Sequence, residues 1–175
     1  MNIYITAQII GFLGYIFLTS ATSLKKQDQI IRMDILACSF LCLQWIMLEQ
    51  PTLMILNALN LSISILVLQF KGQYIVQKSM IAIYPIGCFA LICVSQETLI
   101  DVLCIICFCL IVRAKLSNDI ITFRYFSIMA GAILTVCAFI SASLPAIIFN
   151  ALFVLLHLHK NSSLSMLLLR KQPTQ

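Results

Sequence analysis

The sequence predicts an all-α polytopic membrane protein, with seven transmembrane helices arranged as two parallel three-helix bundles joined by a linker helix. Three observations carry this. Of 175 residues, 62% are hydrophobic and only 10% charged, too little charge to cover a water-soluble domain of this size. The apolar runs approach the roughly 20 residues, at least about 17, that a bilayer-crossing helix requires. All eleven Lys and Arg fall into four clusters between those runs: Lys25, Lys26 and Arg32; Lys71 and Lys78; Arg113, Lys115 and Arg124; Lys160, Arg170 and Lys171. Cationic side chains are costly in hydrocarbon and are retained by short cytoplasmic loops, so the clusters mark the cytoplasmic side.

Taken in order, residues 3–22 form the first span and 33–48 the second. Glu49-Gln50-Pro51 makes a tight turn, and Pro51 starts the third span, 52–70, where its missing N–H costs nothing. The stretch 79–112 contains no Lys or Arg and is interrupted by Gln96-Glu97 and then Asp101. A single helix there would put the basic clusters flanking it on opposite sides. Two short helices, 79–95 and 98–112, keep both on one side, at the expense of tilt or local bilayer thinning. The sixth span is 123–140, Ser141-Ala142-Ser143-Leu144-Pro145 turns the chain, and 144–159 is the seventh. The N-terminus is then external and the C-terminus cytoplasmic. Glu49 and Glu97 lie on the external side, and Asp101, a few residues into the fifth span, is read as reaching headgroups in preference to serving a proton relay. The tail, with Leu167-Leu168-Leu169-Arg170-Lys171, is too short to span and suits the membrane surface. The organisation expected is a first bundle over 1–72, a linker helix over 73–96, a second bundle over 97–160 and a tail over 161–175. Met1 to Gln8 has no Lys or Arg, so no cleaved signal peptide is expected.

Several functions are disfavoured. The net charge of +5 is the topological bias of the loops, and no basic run is interleaved with aromatics, so nucleic acid is not a partner. The eight cysteines all lie in apolar stretches, where Cys behaves as a small hydrophobe; even Cys104-x-x-Cys107-x-Cys109 lacks the polar setting of a metal or redox motif. His157 and His159 do not share a helix face, which argues against metal ligation. No metalloprotease motif, nucleophile elbow or glycine-rich phosphate loop is present. No enzyme activity, cofactor or metal is expected.

The seven spans divide as three, one and three, which gives the triplets the same orientation. Arg32 opens the second helix and Arg124 the sixth. Pro51 precedes Asn57-Ala58-Leu59 as Pro145 precedes Asn150-Ala151-Leu152. Parallel repeats about an axis along the membrane normal are a transporter architecture. Polar residues inside the spans are organised too. Gln8, Gly11, Tyr15, Thr19 and Thr22 share one face of the first helix. Asn57, Asn60 and Ser64 share one of the third, and Asn150 and His157 one of the seventh. Such residues either bond across packed helices or line a cavity. Trp45, beside Gln44, reads as an interfacial anchor or as a stacking surface for a ligand.

Around Ala7-Gln8-Ile9-Ile10-Gly11, Leu48 to Pro51 and Ile55-Leu56-Asn57-Ala58, the chain resembles the YgjV family of bacterial inner membrane proteins. The resemblance implies an inner-membrane address and no particular activity. The three-one-three layout also looks like the SWEET and PQ-loop sugar transporters, where an Asn in the third helix of each triplet lines the sugar site. Asn57 and Asn150 are the matching positions. The Pro-Gln pair of that group is missing from helices one and five. This is fold-level analogy and does not carry function by itself.

The reading that follows is a small transporter or facilitator for a small polar solute. Its pocket lies between the bundles, with Asn57 and Asn150 as principal ligands and Asn60, Gln8 and Trp45 as further ones. The alternative is a non-transporting inner-membrane component that binds or stabilises a partner. The lipid bilayer is the surrounding medium, and the sequence leaves a homo-oligomer open.

Overall fold

The computed structural model describes residues 2–24, 26–70, 83–94, 99–117, 119–141 and 143–170. They form seven helices and, among the described residues, no strand: α1 (Ile3–Ala21), α2 (Gln27–Met47), α3 (Pro51–Gln69), α4 (Ile83–Val94), α5 (Leu99–Lys115), α6 (Ile120–Ile140) and α7 (Leu144–Arg170). The expected cluster at Lys71 and Lys78, the start of the fourth span, and Glu97 lie outside the described residues. Four helices, α1, α2, α3 and α6, are long and apolar enough to cross a membrane, and Leu144–Lys160 is a shorter apolar run. The 12 residues of α4 rise only about 18 Å, against about 30 Å of hydrocarbon.

Local chemistry sets the helix ends. The Asn2 side chain caps α1 by accepting from the Tyr4 N–H at 3.1 Å. Pro51 opens α3, and Glu49, at φ 53°, supplies the left-handed residue that reverses the chain between α2 and α3. Asp119 caps α6 by accepting from the Thr122 N–H at 2.8 Å. Two boundaries differ from those expected. The second helix begins at Gln27 rather than at 33, because Asp28 in its first turn favours a helix N-terminus and a helix need not end at the hydrocarbon boundary. The segment expected as a separate surface tail is instead a continuation of α7, which runs unbroken to Arg170.

Six helices form a ring. α2 packs between α1 and α3, α6 packs between α5 and α7, and the ring closes through α1 on α7 and α3 on α5. α4 packs against α3 and α5. Exchanging α1 with α5, α2 with α6 and α3 with α7 maps each of these ring contacts onto another ring contact. One spacing runs through the exchange: α2 and α6 each have 21 residues, and they start at Gln27 and Ile120, 93 positions apart, as do α3 and α7 at Pro51 and Leu144. The buried positions keep that register, with Tyr15 and Phe108, Ala21 and Ala114, Ala37 and Ala130, and Trp45 and Ala138 all in the core. The Asn-Ala-Leu triplets are in the same register. Arg32 and Arg124 are not: Arg124 falls opposite Ile31, and it is buried where Arg32 is exposed.

The ring has a largely apolar core and an apolar outside. Large apolar side chains such as Phe89, Ile3 and Phe139 are more than half exposed, which suits lipid contact. The main core runs through Leu41, Leu53, Leu56, Phe108 and Val112. A second, smaller cluster of Ala21, Ile30, Ala114 and Phe123 packs with Leu24, Met33, Ile120 and Phe126 at the end carrying the α1–α2 and α5–α6 turns. Reciprocal hydrogen bonds tie that end together. Gln27 Nε2 donates to the Ser117 carbonyl at 3.0 Å, and an Arg124 guanidinium nitrogen donates to the Leu24 carbonyl at 3.1 Å.

Candidate functional site

All six ring helices line one internal cavity of about 90 Å³, room for several waters or a small solute. Apolar groups such as Leu18, Ile31, Leu53 and Leu134 make up most of its wall. The polar wall comes from Tyr15 on α1, Asp34 on α2, Asn57 and Asn60 on α3, Lys115 on α5, Ser127 on α6, and Asn150 and His157 on α7.

The first polar centre is an ion pair. Lys115 Nζ lies 2.5 Å from Asp34 Oδ2, with the two side chains only 6% and 13% exposed. The ammonium also donates to the Asn60 carbonyl at 3.1 Å, to the Asn60 side-chain oxygen and to Ser64 Oγ. Ser64 Oγ lies 2.9 Å from the same Asp34 oxygen, and Asn60 Nδ2 reaches Cys38 Sγ at 3.0 Å. The α3 spacing explains the arrangement: Asn60 and Ser64 are four residues apart and so project from one face, onto which the last turn of α5 delivers Lys115. A charged pair this deep needs such supplementary bonds, because Coulomb attraction alone barely offsets desolvation.

The second polar centre is differently furnished. Arg124 is 1% exposed and His157 is fully buried. Beyond its bond to the Leu24 carbonyl, Arg124 keeps Nε and one terminal nitrogen buried without a partner, and neither His157 ring nitrogen has one. The guanidinium bears electrostatically on the imidazole, whose ring stands edge-on to Phe153 at 4.3 Å. In the 93-residue register His157 corresponds to Ser64, and Ser127 to Asp34 (α3/α7 and α2/α6 starts). The positions that hold the ion-pair network in one half therefore hold a histidine and a serine in the other.

Elsewhere at the cavity, Tyr15 stacks on Phe149 at 5.8 Å, and its hydroxyl lies against the Asn150 side chain. Asn57 Nδ2 donates back to the Leu53 carbonyl of its own helix at 2.8 Å, which leaves its amide oxygen free to accept from elsewhere in the cavity.

Of the residues singled out from sequence, Asn57, Asn60, Asn150 and Trp45 all line this cavity. Gln8 is not among the lining residues; its amide is buried without a partner. Trp45 is 3% exposed, which overturns its reading as an interfacial anchor: the indole points into the ring rather than toward headgroups. Asp101 is corrected too. It is 3% exposed and accepts from Thr52 Oγ1 at 2.6 Å, because the N-terminal turn of α5 packs on α3 and holds the carboxylate inside the protein. The sequence places Lys115 and Arg124 in a cytoplasmic loop cluster, yet both side chains turn into the bundle. Asp34 belongs to no polar face or motif of the sequence, although an acidic residue inside an expected span is itself a signal. Gln44 is fully buried with its amide on Gly11, where a Cβ would collide with it.

A family model described as Imp-YgjV, bacterial inner membrane protein, matches residues 5–161. The match covers the segments through which the sequence resembled that family. No curated protein and no solved structure matches the chain.

Proposed function

The chain belongs to the Imp-YgjV family of bacterial inner membrane proteins, and from that premise we propose that it is a small facilitator that passes a small polar solute through the ring. The observation that carries the reading is the cavity itself: it is lined from all six ring helices, and Asn57 and Asn150, at corresponding positions of two triplets, both contribute to it. Two parallel three-helix units around a central, mostly apolar cavity with a few polar groups, with α4 as the linker, form a device that can rock about the cavity. Asn57 and Asn150 offer hydrogen bonds to the solute from opposite walls, Asn60 holds the ion pair beside it, and Trp45 supplies a flat apolar surface. The N-terminus is external and the basic turns are cytoplasmic.

Uptake of radiolabelled glycerol, glycine, glucose and lactate into proteoliposomes tests this. Saturable uptake of at least one is expected, abolished in Asn57→Leu and in Asn150→Leu while both variants keep the native elution profile. If no solute enters and the two variants instead lose stability, by roughly 1–2 kcal/mol per lost interhelical bond, the chain is a non-transporting membrane component. The orientation is checked by a Cys placed at Gln73 on a cysteine-free background, which should label from the cytoplasmic side alone.

A further inference from the structure

We propose that Arg124 and His157 form an anion-binding site at the basic end of the cavity, and that the solute is a small monocarboxylate. This deepens the facilitator reading by naming its substrate class, and the site itself stands on three observations.

The first is charge. Asp34 neutralises Lys115 at 2.5 Å. Arg124, equally buried, forms no ion pair among the described residues, and Asp119, the acid nearest in sequence, is exposed and occupied as the cap of α6. The basic end of the interior thus holds a cation with no counter-ion beside it among the described residues, which one carboxylate would neutralise and a dianion would overshoot. An unpaired charge taken out of water is expensive, and buried charges are ordinarily paired.

The second is hydrogen bonding. Two guanidinium nitrogens and both imidazole nitrogens are buried without a partner. Arg keeps five N–H donors in a planar fork that matches a carboxylate's two oxygens. Only one of those nitrogens is engaged by protein, on the Leu24 carbonyl. An incoming carboxylate would give an acceptor to one free edge of the guanidinium and so to one of its two orphaned nitrogens.

The third is position. His157 lines the cavity, as do Ser127 and Gly131. Arg124 is not itself among the lining residues; it lies just behind the wall, three and seven residues before these two on the same face of α6. Asn57, Asn150 and the Tyr15 hydroxyl are then available for a polar substituent on the body of the solute.

The test is titration calorimetry on the full chain in detergent, at constant ionic strength, with acetate, propionate and lactate and with the corresponding neutral amides. Saturable binding of the carboxylates, at least tenfold tighter than of the amides, is expected for the unaltered protein. Arg124→Gln should weaken carboxylate binding at least tenfold, Arg124→Lys should recover part of it because charge returns without the fork, and His157→Gln should weaken it less. Equal binding of acids and amides overturns the proposal, and so does carboxylate binding unchanged in Arg124→Gln. The acid-against-amide comparison needs no variant, so it decides even where a variant fails to fold. Because calorimetry involves no transport, the two readings fail separately. Carboxylate binding without vesicle uptake would end the facilitator reading and leave this site standing, whereas uptake of neutral solutes without carboxylate binding would do the reverse.

Discussion

Two cations are buried at the same end of one ring, and the protein treats them in opposite ways. Lys115 crosses from α5 to α3 and α2 and is met by Asp34, Asn60 and Ser64. Arg124 receives one backbone carbonyl and keeps two nitrogens unpartnered. The two halves of the ring share helix spacing and burial pattern, so the difference is one of side-chain chemistry on a common frame. A fully satisfied polar network fixes one arrangement, whereas an incompletely satisfied one leaves a site that a ligand can complete. The Lys115 centre is therefore the fixed part of the interior, joining α5 to α2 and α3, and the Arg124 centre the incompletely satisfied one.

Breaking the ion pair should give the largest effect. Lys115→Met leaves Asp34 buried and unpaired and should cost about 3–5 kcal/mol, measured by unfolding in detergent. The double variant Asp34→Leu/Lys115→Met should be distinctly more stable than Lys115→Met alone, since no charge is then stranded. A double variant as unstable as the single one would mean that packing, not charge, makes the centre.

Arg124→Met tests the other side of the comparison. It loses one hydrogen bond to a carbonyl, about 1.5–3 kcal/mol for a charged donor, but removes two orphaned donors whose desolvation costs about 1–3 kcal/mol each. The second contribution matches or exceeds the first, so Arg124→Met should lose less than about 1 kcal/mol of unfolding free energy or gain some. A loss as large as that of Lys115→Met would erase the contrast between the centres. His157→Phe should be neutral or stabilising by up to about 1 kcal/mol, because it removes two unsatisfied nitrogens beside an aromatic neighbour.

The smallest effects are at the N-terminal ends of α2 and α6. Asp119 caps α6, while Lys26, 93 positions earlier at the N-cap of α2, makes no side-chain cap. Asp119→Ala should cost, and Lys26→Asp should gain, about 0.5–1 kcal/mol. The Thr122 backbone N–H holds the Asp119 carboxyl below its ordinary value. Its contribution is therefore present at neutral pH and is lost on acidification through that lowered value. A thermal-unfolding series against pH should show the Asp119→Ala difference shrinking at the acid end.

The sequence by itself determined the class, the seven helices and most of their limits. A long apolar run, a Pro at an N-terminal turn or an Asp before a helix acts locally and can be read from neighbouring residues. It also determined the Asn-Ala-Leu correspondence, which lies in the register that relates α3 to α7. Only the tertiary structure decided which way Trp45, Asp101, Lys115 and Arg124 turn. A lysine at the last position of a helix can snorkel to water or fold back onto a carboxylate 81 positions away. Sequence reasoning chose the loop because the cost of burying a charge is local and visible. The partner that offsets that cost is supplied by another helix, and it exists only once the ring has closed.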